Sequence, residues 1–195
     1  SEQIRRTIVR DGQMADIIAA GETATGTGEQ GDLVSGDIGN DFVYGSDAND
    51  ALFGGNGEDL LVAGAGDDII IGDGSSVALA YTNWSFNGSS FEHVYFMPDT
   101  DTDSGRDSIY GGAGADTIYG GGKDDDIDAG EGNDTVYGEG GADFITGAGG
   151  DDLLVGDALR TPVNERWNDY IDGGAGNDKI FGMAGSDDPF GGDGD

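Results

Sequence analysis

Fourteen aspartates recur through the chain at a fixed interval of nine residues: Asp32, Asp41, Asp50, Asp59 and Asp68, then Asp107, Asp116, Asp125, Asp134, Asp143 and Asp152, then Asp169, Asp178 and Asp187. Each lies behind glycines, as in Gly54-Gly55-Asn56-Gly57-Glu58-Asp59 and Gly111-Gly112-Ala113-Gly114-Ala115-Asp116. A short carboxylate beside a tight turn that bares backbone carbonyls is the donor set of a hard, oxygen-seeking cation such as Ca²⁺. Ordinary turn aspartates, favoured for local hydrogen bonds, would not keep one place in every unit.

The rest of the composition narrows the chemistry. Forty acidic residues face eight basic ones among 195, and 32 of the acids are aspartate, for a net charge of −32. Such a charge opposes any compact state unless something cancels it, and its sign disfavours nucleic acid and anionic membrane as partners. No run of eighteen apolar residues is present to span a bilayer. With no cysteine there is neither a disulfide nor a thiolate metal site, and a single histidine, His93, does not make a zinc cage. His93 has no serine nucleophile arrangement near it and reads as a strand residue. The nucleophile-elbow, zincin and phosphate-loop patterns are all missing, and aspartates repeated in every unit speak for structure, so the segment is expected not to be an enzyme.

The elements that must position these carboxylates follow from the same repeat. Residues 27–71 divide into five nonapeptides, 102–155 into six and 164–190 into three. Glycines at positions one, two and four of the unit allow positive φ and close backbone approach. Positions seven to nine are rich in β-branched and aromatic residues, and position eight is apolar in every unit but the last, where it is Pro189. Each unit therefore predicts a turn followed by a three-residue strand. Such strands are stable only when stacked on their copies, and position eight is the core they can share. If the chain reverses at each turn, units i and i+2 lie on the same side. The fold expected is all-β: a right-handed parallel β-roll or β-solenoid with eighteen residues per coil, interrupted by a β-hairpin insertion. Asp32, Asp50 and Asp68 then line one edge, and Asp41 and Asp59 the other, about 4.8 Å apart. A Ca²⁺ between successive turns would turn their repulsion into a bridge.

Outside the repeat lie three segments. Residues 1–26, with Arg5, Arg6 and Arg10 beside Ile4, Ile8, Val9, Ile17 and Ile18, predict a strand-rich amino-terminal cap on the open end of the roll. Residues 72–101 alternate through Val77, Leu79 and Tyr81 to Trp84 and Phe86, turn at Asn87-Gly88, and return through Phe91, Val94, Tyr95 and Phe96, which predicts a hairpin. The outward positions of the first run include Leu33, Phe42, Tyr44, Phe53, Leu60, Val62, Ile69 and Ile71, an apolar face that needs a cover. Folding of the hairpin back onto the roll is favoured over its projecting as a recognition loop. Residues 156–163 form a bulge containing Pro162, before the last run, 164–195.

The nonapeptide resembles the G-G-x-G-x-D-x-U-x unit of the RTX (repeats-in-toxin), hemolysin-type calcium-binding β-roll family, over about two thirds of the chain. The resemblance implies that the fourteen aspartates are calcium ligands. It also implies that turn residues such as Gly36, Gly54, Gly111, Gly120, Gly138 and Gly173 supply carbonyls, each ion being shared between turns i and i+2. Position four departs from glycine at Gln30, Ala48, Lys123 and Trp167. Pairing aspartates eighteen apart within each run yields eight inter-turn steps. Run-end acids such as Asp37, Asp73, Asp99, Asp101, Asp103 and Asp157 could complete further shells, and the insertions could remove a step by bending the stack, so roughly eight to twelve Ca²⁺ are expected. The resemblance further implies a bacterial secreted, extracellular or cell-surface module, a monomer, exported unfolded by type I secretion machinery and folding on calcium outside. The alternative is an adhesin or polysaccharide-binding module of a larger extracellular protein or enzyme, with a glycan or cell-surface ligand. The position-five series Gly31, Asn40, Asn49, Glu58, Asp67 has no threonine array of an ice-binding face.

Overall fold

A computed structural model describes residues 4–10, 13–19, 33–73, 105–157 and 167–194. Every regular element among them is a strand, and the strands fall into two sheets. The first orders β1 (Ile4–Arg10), β2 (Gln13–Ala19), β4 (Phe42–Tyr44), β6 (Leu60–Ala65), β8 (Ser108–Ala113), β10 (Asp126–Glu131), β12 (Phe144–Thr146), β14 (Tyr170–Asp172) and β16 (Asp188–Phe190). The second orders β3 (Leu33–Ile38), β5 (Ala51–Asn56), β7 (Ile69–Asp73), β9 (Thr117–Gly122), β11 (Thr135–Gly140), β13 (Leu153–Asp157) and β15 (Lys179–Phe181). Consecutive repeat strands alternate between the sheets and pair in parallel within each. The chain is a parallel β-roll.

The register sets the coil. Phe42 pairs with Leu60, Leu33 with Ala51 and Thr117 with Thr135, each eighteen residues on. The first insertion does not interrupt this stacking: Leu60 pairs with Ser108 and Ile69 with Thr117, a step of 48 in place of 18. At the second, Phe144 pairs with Tyr170 and Leu153 with Lys179, a step of 26. The three runs therefore form one continuous stack. The unit that closes the first insertion begins with Gly72-Asp73 and resumes at Gly105-Arg106-Asp107, and Gly156-Asp157 begins the unit that resumes at Trp167-Asn168-Asp169. The chain leaves the roll at the last residue of β7 or β13 and re-enters it ahead of β8 or β14, so the extra residues shift no strand register.

Position eight is the core, as its alternation requires. Val34, Val43, Leu52, Leu61, Ile70, Ile109, Ile118, Ile127, Val136, Ile145, Leu154 and Ile171 are all fully buried in one cluster, with Ile180 packed against its end. Burial of each such side chain is worth about 1.5–3 kcal/mol, but the column is one residue wide per strand. Beside that column and the methyl groups of Ala63 and Ala129, the inside of the roll is lined by buried turn carboxylates.

The outward faces differ. On the second sheet Ala51, Phe53 and Ile71 are buried, with Ile69 and Tyr119 packed against them, whereas Tyr44 and Tyr110 on the first sheet are exposed. The hairpin expected to provide a cover, including Trp84 and His93, lies outside the described residues from 74 to 101. At the amino-terminal end, β1 and β2 form an antiparallel pair and β2 continues in parallel onto β4.

Candidate metal centre: two aspartate ladders

The roll brings thirteen of the fourteen aspartates into two ladders; Asp32 lies outside the described residues. Along one edge run Asp41, Asp59, Asp107, Asp125, Asp143, Asp169 and Asp187. Along the other run Asp50, Asp68, Asp116, Asp134, Asp152 and Asp178. Within each ladder the N–H of one aspartate donates to Oδ1 of the aspartate one coil on, from Asp41 N to Asp59 Oδ1 at 2.7 Å through Asp134 N to Asp152 Oδ1 at 2.9 Å to Asp169 N to Asp187 Oδ1 at 3.2 Å. The carbonyl of the same aspartate accepts from position seven of the next coil, as in Leu60 N to Asp41 O at 2.9 Å. In eleven of the thirteen, all but Asp41 and Asp50 at the start of the described ladders, one carboxylate oxygen is thus committed to register.

The second oxygen is not. Oδ2 of Asp59, Asp68, Asp107, Asp116, Asp125, Asp134, Asp143, Asp152, Asp169 and Asp178 is buried and accepts no hydrogen bond among the described residues. Across from it lie turn carbonyls. A Cβ placed on Gly120 would sit 2.6 Å from Asp125 Oδ2 and 2.7 Å from the Gly138 carbonyl, and one placed on Gly54 2.5 Å from both Asp59 Oδ2 and the Gly72 carbonyl. Each such glycine leaves a cradle between one turn and the next coil. Of the carbonyls expected from the sequence, those of Gly54, Gly120, Gly138 and Gly173 face these cradles, whereas Gly36 and Gly111 border one through their Cα. Alanine takes the first position in two units, and the methyl groups of Ala63 and Ala129 join the core.

An uncompensated buried carboxylate resists ionisation. Burial first, with like charges along the ladder adding, pushes Asp125 up to about 10, Asp68 and Asp107 to about 8, and Asp59, Asp116 and Asp143 to about 7; the N–H bond from the preceding aspartate opposes the rise. Burial likewise raises Asp152 and Asp169 to about 6. Arg106 does not relieve this, since it pairs instead with exposed Asp124, at 2.9 Å. Orphaned oxygens, facing carbonyls and a charge that must be cancelled together fit a hard cation with oxygen ligands.

Three details depart from the sequence expectations. The glycine positions divide by role: positions two and four hold positive φ, as at Gly55 (112°) and Gly57 (130°), while position one keeps an ordinary φ and is small because the carboxylate folds over it. Lys123 supplies the position-four conformation without being glycine, at φ 79°. The Gly45-Ser46-Asp47-Ala48 turn satisfies its own aspartate, since Asp50 Oδ2 accepts from the Ser46 N–H at 2.6 Å and the Ser46 hydroxyl at 2.9 Å.

A further set of rungs, at position five, was legible in the sequence only as a preference for Asn and Asp there. Oδ1 of Asn49 accepts from Asp67 N, Asp67 from Ala115 N, Asp124 from Ala142 N, Asn133 from Asp151 N and Asn168 from Ser186 N, at 2.8–3.2 Å. These side chains point forward along the stack where the position-six aspartates point back, so each turn is held from both sides.

A family model for the RTX calcium-binding nonapeptide repeat (4 copies) matches residues 27–61, 53–76, 101–127, 120–154 and 168–195. No curated protein and no solved structure gives a significant match. The matched residues cover well over half of the chain and include both ladders, and the chain belongs to the RTX calcium-binding nonapeptide repeat family.

Proposed function

We propose that the ladder aspartates and the turn carbonyls facing them hold Ca²⁺ in two rows, and that the chain is a folding module, unfolded where calcium is scarce and ordered by it after type I secretion. The observation that carries this reading is the row of buried Oδ2 atoms with no donor among the described residues. A roll whose inside is lined by carboxylates has too narrow an apolar column to order itself against its charge, so ion binding supplies the folding free energy. Eleven inter-aspartate hydrogen bonds link the described ladders, four of them across the insertions. The stack is not broken at either insertion, which supports a count of roughly eight to twelve ions. Far-UV circular dichroism tests the reading: a mostly disordered chain in chelator should gain β structure with a calcium midpoint of ~10⁻⁴ to 10⁻³ M, and magnesium, which keeps its waters, should not replace calcium. Full β content in chelator would overturn it.

One observation favours a second role, as an adhesin or polysaccharide-binding surface. Phe144 and Tyr170 stack on the open face of the first sheet, with ring centroids 4.8 Å apart and planes 5° from parallel, and both are exposed. A glycan array with Phe144→Ala as the control tests this: binding lost in the variant supports it, and no binding by the parent chain removes it.

A further inference from the structure

The chain leaves the roll twice, each time directly after a Gly-Asp pair, and the two aspartates are used differently. At the first junction both oxygens of Asp73 take backbone donors. Oδ1 accepts from Gly105 N at 3.1 Å, where the chain returns, and Oδ2 from Gly122 N at 2.8 Å, one coil on. At the second junction Asp157 keeps the bond to the next coil, from Ala184 N to Oδ2 at 2.7 Å. Its Oδ1 is buried and takes no donor among the described residues. The carboxylate shares its site with Asp169 and Asp187, with one oxygen from each of the three within 4.8 Å of the others. Asp157 and Asp169 are 1 % and 2 % exposed, and Asp169 Oδ2 is also without a donor. The Gly182 carbonyl faces the same space across Gly156.

We propose that Asp157, Asp169 and Asp187 form a junction cation site distinct in composition from the ladder steps, in which a residue outside the repeat's aspartate position adds a third carboxylate. The proposal rests on the ladder reading above. It assigns the site to a hard divalent cation of the calcium type, and its extra charge makes it fill before the ladder steps, since ligand charge count tunes affinity in oxygen cages. Asp157 ends β13 just before the insertion, Asp169 precedes β14 just after it, and Asp187 belongs to the next coil. An ion held by all three closes the insertion as a loop and docks residues 167–190 onto the stack ahead of them.

Trp167 lies two residues from Asp169 and supplies an optical probe, with terbium as the calcium substitute. In the full chain carrying Trp84→Phe, tryptophan-sensitised terbium emission should saturate with the first equivalents added. Asp157→Asn, which preserves shape and removes charge, should lose one high-affinity calcium by calorimetry and raise the midpoint of the sensitised emission by about tenfold. Amides in 167–190 should exchange faster while those in 105–152 keep their protection. Asp73→Asn should leave the Trp167 signal unchanged. An Asp157→Asn chain with unchanged ion count and emission midpoint overturns the proposal. Should that variant not fold, the Trp84→Phe chain alone decides: sensitised emission that rises only with the last equivalents also overturns it. No ions bound anywhere would be the failure of the ladder reading instead.

Discussion

Asp59 and Asp107 are 48 residues apart in the chain and are neighbours in one ladder, with the Asp59 N–H donating to Asp107 Oδ1 at 2.8 Å. The bond is the same one that links Asp107 to Asp125, eighteen residues on, at 2.9 Å. Residues added between Asp73 and Ser104 are therefore tolerated because they enter between the end of β7 and the start of β8, where no strand register has to change.

Removing residues 74–103 tests that relationship. The cut joins Asp73 to Ser104 and creates an uninterrupted unit, Gly72-Asp73-Ser104-Gly105-Arg106-Asp107-Ser108-Ile109-Tyr110. Calorimetry on the shortened chain should count the same number of calcium ions as on the full one. A loss of three or more ions would show that the two halves do not stack through the junction.

The aspartates are not equivalent. Asp125→Asn removes an orphaned buried oxygen with ladder neighbours on both sides, at Asp107 and Asp143. Asp50→Asn removes a carboxylate whose Oδ2 is already bonded to Ser46. The calcium midpoint, followed by circular dichroism, should rise by about tenfold for Asp125→Asn and by much less for Asp50→Asn. Asp187→Asn, at the last rung, should fall between them.

How much of this was legible in the sequence depended on what each residue answers to. The period of nine located position eight and the ladder aspartates because each is fixed by one local requirement, an inward apolar side chain or an inward carboxylate. The continuity of the stack was not legible: pairing Asp59 with Asp107 needs knowledge of where the chain re-enters the roll, and nothing local at Gly72-Asp73 marks it. Glycine alone likewise could not separate position one, which needs room, from positions two and four, which need positive φ. Ser46 was hidden for the reverse reason, since only its folded turn brings a hydroxyl onto Asp50.

Backbone demand within one turn yields a further contrast. Ala148 sits at φ 69°, in the left-handed region a side chain can enter at modest cost, whereas Gly150 sits at φ 139° with the Gly132 carbonyl against it. Ala148→Gly should leave thermal stability in calcium almost unchanged, and Gly150→Ala should cost about 1–3 kcal/mol. Equal effects on melting temperature would contradict this difference in backbone demand between positions two and four.

Proton and cation compete for the same oxygens. In the metal-free fold burial raises Asp59, Asp116 and Asp143 to about 7 and Asp107 to about 8, from 3.8. A raised folded value means that the metal-free roll has its full stability below about pH 4 and loses it as pH rises through 7–8. Calcium needs the ionised form, so its midpoint should fall as pH rises from 6 to 8. Chelator-treated chain should show more β structure at pH 4 than at pH 8. A calcium midpoint independent of pH over that range would argue that the ladder carboxylates are not the ligands.

The central claim, that the buried aspartate oxygens are the seats of a two-row ion stack, is tested most directly by anomalous scattering from crystals grown in calcium. The account predicts ions in two lines along the turn edges, each within bonding distance of a ladder Oδ2 and of a carbonyl from the next coil, and roughly eight to twelve in number. Fewer than five ions, or ions bound away from the turn edges, would contradict it.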